Sequence, residues 1–250
     1  GGGLDGVRLR EVRCERWAGL WMVCFDDDAP PLAAGARLDA VAREHRMDDL
    51  AVIARTETVV ACSWQLGVEG GLENLHLPVL HRRSGGHALD VDRATYEVHG
   101  EHSLVVAPYR PADLYAPTGP FGRAIAAAGV ELLTPVGSNA ARENTTALLF
   151  PHVSLSFVPH HLWVMVMQPI GPAAALQIHL TLALPPRDED ARRLLGVTHA
   201  AIAAVLAEDV AILEGLQSNL GRGLAPPIPL SDHEIRVAWF RDALAARRSA

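Results

Sequence analysis

The sequence predicts an α+β fold in which an antiparallel sheet is followed by one long C-terminal helix. Three observations predict it. Thr145–Val158, Leu162–Ile170 and Ala175–Leu184 read as three consecutive strands rich in Val, Leu, Ile and Thr. Pro159-His160-His161 and Gly171-Pro172 separate them by hairpin-length turns, and strands joined so closely pair antiparallel. Asp188–Asn219 then forms the longest helical stretch, with a break expected near Gly196.

The remaining elements follow from local pattern. Val7–Arg16 alternates apolar and polar residues like a half-buried strand, and Gly19–Phe25 is a second, more apolar one. Asp26-Asp27-Asp28 before Pro30-Pro31 is a solvated turn, not a metal cluster. Leu38–Arg46 is a short helix with Leu38, Val41, Ala42 and His45 on one side, and Leu50–Cys62 is a strand. Trp64–His76 is a helix with Glu69, Glu73 and His76 on one face. Arg82–Asp92 is a loop and Tyr96–Tyr109 a strand region. His99 and His102 imitate a ligand pair, but residues three apart on a strand face opposite sides. Phe121–Val130 is a helix, and His160 and His161 sit exposed at a turn. A breaker-rich loop from Gly221 to Pro229 leads to a last helix, Ser231–Arg247. Ser231 caps it, and Glu234 three residues on completes a capping box.

Composition narrows the function classes. With 250 residues the chain can bury a large core. A formal net charge of −7 is opposite to what a nucleic-acid surface needs. No run reaches the ~18 apolar residues of a membrane span, and no signal peptide is visible, so no membrane partner and a cytoplasmic location are expected. Cys14, Cys24 and Cys62 are widely spaced and odd in number, as in a reduced protein. Every basic side chain counted is Arg, which reads as a coding bias. The chain opens Gly-Gly-Gly, so a cut from something longer is expected.

Glu73-Asn74-Leu75-His76-Leu77-Pro78-Val79-Leu80-His81 carries the chemistry. Neutral imidazole is the commonest ligand for a mid-row metal. On an unbroken helix His76 and His81 would point ~140° apart. Pro78 breaks that geometry, so the helix is expected to end near Leu77 and the chain to bring His81 back toward His76. Glu73 can accept a hydrogen bond from the imidazole nitrogen of His76 that faces away from a metal. The third candidate is Asp209. Ile202, Val205, Ile212, Leu216 and Leu220 define an apolar stripe on the long helix, and Asp209 lies ~40° from Val205 and ~60° from Ile212. A buried carboxylate must be protonated, paired or metal-bound. Glu208 and Glu214 fall outside the arc and read as solvated. Two His and one carboxylate form the facial triad of non-haem Fe(II) oxygenases, and zinc hydrolases use a similar set.

These segments resemble the catalytic domain of Rieske non-haem iron oxygenases, the aromatic-ring-hydroxylating type. Ser63-Trp64-Gln65 through Glu73, His76, Pro78 and His81 resembles the family's N-W-K…E-x-Y-H-x-P-x-x-H segment, with Ser63, Gln65 and Leu75 as departures. Glu208-Asp209 with Glu214 and Gln217 resembles its E-D…E-x-x-Q segment, and Phe150-Pro151 resembles the end of a family strand. The resemblance implies a helix-grip (START/SRPBCC-like) fold, with the sheet wrapped around the long helix. It implies mononuclear Fe(II) on His76, His81 and Asp209, and Glu73 as the catalytic acidic bridge to a cluster histidine of a neighbouring subunit. It further implies O2-dependent hydroxylation of a small apolar or aromatic substrate. Electrons would come from NAD(P)H through a ferredoxin or flavin reductase, and the full-length protein would be a homotrimer or an alpha-beta hexamer.

A [2Fe-2S] Rieske cluster needs C-x-H and C-x-x-H pairs, which this sequence does not contain. The cluster is therefore expected on an upstream domain, with residues 1–30 as its closing strands and 31–250 as the catalytic domain. Two other readings share these residues: a helix-grip domain that binds a small molecule without chemistry, and a zinc-dependent hydrolase.

Overall fold

The computed structural model describes residues 8–29, 31–135, 137–224 and 229–249. Val7, Pro30 (where the two predicted domains would meet) and Pro226-Pro227 of the breaker-rich loop lie outside the described residues.

β1 (Arg13–Trp17) and β2 (Leu20–Cys24) pair with each other in a hairpin separate from the main sheet. Ala18 and Gly19 turn it, both at positive φ (45° and 84°). Trp17, Leu20 and Met22 face the core, whereas Trp21, Val23 and Phe25 on the other face are exposed.

The main sheet has seven antiparallel strands in the order β3-β9-β8-β7-β6-β5-β4. They are β3 (Ala51–Val60), β4 (Thr95–His99), β5 (His102–Pro108), β6 (Glu143–Leu149), β7 (Val153–Val158), β8 (His161–Gly171) and β9 (Ala174–Ala183). The predicted strand Thr145–Val158 is two strands, because Phe150-Pro151-His152 turns the chain between β6 and β7. Tyr96–Tyr109 is likewise a hairpin. Gly100, at φ 63°, makes its turn and sets His99 opposite His102 across the ladder.

Period-2 alternation splits the core between the two faces of the sheet. Ala147, Leu149 and Val164 pack with Leu38, Val41 and Ala42 of α1 (Ala36–Glu44). Leu148, Met165, Met167 and Ala175 point the other way, toward α2 (Trp64–Gly70), α5 (Glu189–Gly221) and α6 (Ile235–Ser249). Gly67 lets α2 lie close to β8, since a Cβ there would sit 2.2 Å from Cε of Met167. α3 (Leu77–Leu80) and α4 (Pro120–Ala127) are short.

α5 runs unbroken for 33 residues, through Gly196, where a break was expected. Asp188 caps it by accepting from Ala191 N at 2.9 Å. The inward face is rotated from the predicted one. Leu195, His199, Leu206 and Leu213 are buried, with Ile202 and Val210 packed beside them. Ile212, Leu216 and Leu220 are 50%, 45% and 49% exposed. The pattern was ambiguous because this helix is apolar on most of its circumference. By length and composition α5 is the one helix among the described residues apolar enough to cross a membrane, yet it packs on β3 and β9.

His160 and His161 are buried, at 5% and 4% exposure, not exposed as their position at a turn predicts. The segment before β6 covers that turn: Tyr115 packs on His160 with ring centroids 5.7 Å apart, and Leu133 N donates to Pro159 O.

Candidate metal centre

The local structure around Glu73 differs from the predicted helix and still delivers the expected convergence. α2 stops at Gly70, and Glu73 lies in irregular chain between the turn at Gly71 and that before α3. Glu69, placed by the sequence on the same face, pairs instead with Arg241 through two hydrogen bonds of 2.8 and 2.7 Å, away from the site. His76 is the residue before α3, and Pro78 sits at the start of that helix, where its missing N–H costs nothing. One tight turn of α3 then brings His81 back beside His76, with ring centroids 5.1 Å apart. Gly86 closes the following turn by donating to His81 O at 2.8 Å.

Three side chains converge. Asp209 Oδ1 lies 3.0 Å from Nε2 of His81 and 3.7 Å from Nε2 of His76. One ligand atom from each residue lies within 4.8 Å of the other two. Donors ~2.1 Å from a common ion stand roughly 3–4 Å apart, so this cluster can hold one metal ion.

The outer nitrogens decide the orientation. Nδ1 of His76 bonds Oε1 of Glu73, whose Oε2 accepts from the backbone N–H of His76 and Leu75. Nδ1 of His81 bonds Oε2 of Glu208 at 2.8 Å, and Ser84 Oγ donates to the same oxygen at 2.9 Å. With each Nδ1 held by a carboxylate, each Nε2 is left to Asp209 and to a metal. Glu208 is thus not the solvated carboxylate its helical position predicted. The available signal was its place beside Asp209, together with the need of a second metal-binding imidazole for an orienting partner. Glu214 is not free either: it accepts from Ala61 N at 3.0 Å, and Gln217 accepts from Ser63 N at 2.8 Å, tying α5 to the entry of α2.

The electrostatics suit a cation. Burial raises the Asp209 carboxyl above its ordinary range, and the two histidines only partly offset that. Burial alone would lower the His76 pKa, but the Glu73 hydrogen bond and charge outweigh it and raise it. Glu73 is lowered overall, since its bonds to His76 and to the backbone outweigh burial. Glu208 is lowered, first by the His81 bond and then by Ser84. A cation at this point relieves the Asp209 desolvation. His99 and His102 take no part: His99 bonds Glu97 at 2.9 Å, and Nδ1 of His102 accepts from Phe150 N at 3.1 Å.

The sequence matches the family described as ring hydroxylating alpha subunit (catalytic domain) over residues 47–250. The chain belongs to this family. No curated protein matches the chain. Among solved structures, the chain is similar to a quaternary ammonium Rieske monooxygenase, at TM-score 0.71 and 17% identity, covering 94% of this chain and 61% of that one. It is also similar to dicamba monooxygenase bound to dicamba, at TM-score 0.60 and 16% identity, covering 100% and 75%. A third is naphthalene 1,2-dioxygenase from Rhodococcus sp. bound to indole, at TM-score 0.58 and 13% identity, covering 94% and 65%. At these identities the likeness is one of fold: a large antiparallel sheet with a long C-terminal helix. This chain spans about three-fifths of the monooxygenase's length, 61% of it.

Proposed function

We propose that this catalytic domain holds Fe(II) between His76, His81 and Asp209 and carries out O2-dependent hydroxylation of a small apolar or aromatic organic substrate. The observation that supports it most is the pairing of each histidine's Nδ1 with a carboxylate, which leaves both Nε2 atoms to Asp209. Bound there, Fe(II) would supply the O2 chemistry through the coordination positions that a three-residue ligand set leaves open. His76, His81 and Asp209 would hold the ion. Glu208, with Ser84, fixes the ring of His81, and Glu73 fixes that of His76.

Glu73 has a second role in this reading. Its side chain is partly exposed, and Leu75 and Val79, on either side of His76 in the chain, are exposed. We assign that surface to the cluster-bearing domain of a neighbouring subunit, with Glu73 as the bridge for electrons. The [2Fe-2S] cluster would lie in residues upstream of this chain, fed from NAD(P)H by a ferredoxin or flavin reductase, in a homotrimer or an alpha-beta hexamer. The exposed face of β2, Trp21, Val23 and Phe25, suits packing by that upstream domain.

The test is metal analysis followed by turnover. After anaerobic loading, the chain should hold one Fe(II), and His76→Ala and His81→Ala should each lose it. In a protein that carries the cluster domain, product should require O2. Tightly held zinc with O2-independent turnover would replace this reading with a hydrolase.

A further inference from the structure

Met22, Met47, Met165 and Met167 are the four methionines of the chain, and Met165 is placed unlike the others. Met22 and Met47 pack on the α1 side of the sheet, and Met167 lies against Gly67 of α2. The Sδ of Met165 instead accepts a hydrogen bond from Nε2 of Gln177, on the neighbouring strand β9, at 3.5 Å. Gln177 is 5% exposed, and this is the hydrogen bond its side chain makes among the described residues. A thioether is a weak acceptor, so a buried amide donor is poorly matched here. Oxidation turns a methionine into a polar sulfoxide, whose oxygen would suit that donor better. Gln177 also lines a cavity of about 110 Å³, so its amide has room to yield to one added oxygen.

Met165 also sits beside the metal centre. It belongs to the same core cluster as Leu206 and Leu213, the buried residues of α5 on either side of Asp209. Its Cε lies 3.4 Å from the position a Cβ on Gly71 would take, two residues before Glu73, which bonds His76. Both chain segments that carry the proposed ligands thus pack with it. It is 9% exposed, against 3% for Met47 and 0% for Met167, so part of the side chain stays open to a small oxidant.

We propose that Met165 is an oxidation site of the metal centre: hydrogen peroxide reacting there converts its thioether to the sulfoxide, whose oxygen takes the amide N–H of Gln177. The sulfur lone pair attacks one peroxide oxygen, an S–O bond forms and the O–O bond breaks. Sulfur loses two electrons, the peroxide gains them, and the second oxygen leaves as water with both protons. Bound Fe(II) would supply the activation of the peroxide, so the preference for Met165 rests on the Fe(II) reading above.

The test loads the purified chain anaerobically with Fe(II), with Zn(II) or with neither, and then adds hydrogen peroxide. Peptide mass spectrometry reads the gain of one oxygen at each methionine, and metal content is measured on the same samples. Zn(II) has no redox chemistry, so in the Zn(II) and metal-free chains the half-buried Met22 should be oxidised first. In the Fe(II) chain Met165 should overtake Met22, while Met167, two residues away on the same face, stays reduced. Met165 oxidised no faster with Fe(II) than with Zn(II), or Met167 oxidised alongside it, would overturn the site and leave the Fe(II) reading standing. A chain that takes up no Fe(II) removes both. Oxidation should also lower the urea midpoint more in Gln177→Leu than in the parent chain, because the sulfoxide there has no amide donor. An equal drop removes Gln177 from the site. The peroxide arms use the parent chain, so they decide the site whether or not that variant folds.

Discussion

Glu208 and Asp209 are neighbours on α5, and both reach His81, one at each ring nitrogen. Their removal should have different consequences. On the proposed Fe(II) reading Asp209→Ala removes a ligand and should lose the metal outright. On the same reading Glu208→Ala leaves all three proposed ligands but frees the ring of His81, and an orienting partner of this kind typically contributes roughly 10–100-fold to metal affinity. Glu73→Ala should keep much of the iron and abolish electron delivery in a protein carrying the cluster domain. Iron content by metal analysis, with product formation measured beside it, separates the three. Equal iron loss in all three would mean that the roles assigned to Glu73 and Glu208 are wrong. Gly86 is the other residue on which His81 depends. A Cβ there would lie 1.9 Å from Leu77 O and 2.9 Å from Cβ of His81. Gly86→Ala should therefore displace the turn after α3 and weaken iron binding, a change that Gly85→Ala, with open space at its Cβ, should make only through backbone strain at φ 117°.

At the scale of the element, α5 is the part the sequence placed correctly but rotated. Leu213 is 6% exposed and packs with the α2–α6 side of the core, while Ile212 beside it is 50% exposed. Leu213→Ala should cost roughly 2–5 kcal/mol, as large-to-small changes in a core do. Ile212→Ala should cost less than ~1 kcal/mol, as exposed positions do. Urea denaturation of the two variants checks this, and the opposite ranking would restore the stripe through Ile212, Leu216 and Leu220. Asp209 stays near the buried side under either rotation, because it lies ~40° from Leu213 and ~60° from Leu206. Asp209 meets His76 and His81 although the stripe that pointed to it was misplaced.

The whole molecule carries an unusual load of buried neutral imidazole. His45, His102, His152, His160, His161, His179 and His199 all have pKa values lowered first by burial, His160 and His179 to about 4. The native state resists taking these protons while the unfolded chain accepts them near the ordinary pKa of 6.5. Stability is therefore complete above that value and falls as pH drops from 6.5 toward 4, by up to about 3 kcal/mol for each fully buried ring. Urea midpoints of the metal-free chain at pH 7.5, 6 and 5 should decrease in that order, and His160→Gln should flatten the trend. A second expectation concerns turnover. The three cysteines supply no C-x-H or C-x-x-H pair, so this chain with Fe(II), O2, NAD(P)H and a reductase should form no hydroxylated product. A peroxide-driven control run separately tests the metal centre without that electron route. Catalytic turnover without peroxide would overturn the bridging role of Glu73.

The sequence by itself determined the fold class, most strand and helix positions, the capping box at Ser231 and Glu234, and the three residues that converge on a metal-sized point. These are local signals: period-2 and 3.6-residue patterning, caps, and a proline between two histidines. Tertiary structure alone decided the rest. Whether His160 is exposed depends on Tyr115 arriving from another segment, and whether Glu208 is solvated depends on His81. Which face of an almost uniformly apolar helix is buried depends on the sheet it meets. That His179 stacks on His199, which bonds Thr56 and Thr181 from twenty residues further on, depends on where α5 meets β3 and β9. A side chain's partner across the fold lies outside any local window, so neither periodicity nor spacing can report it.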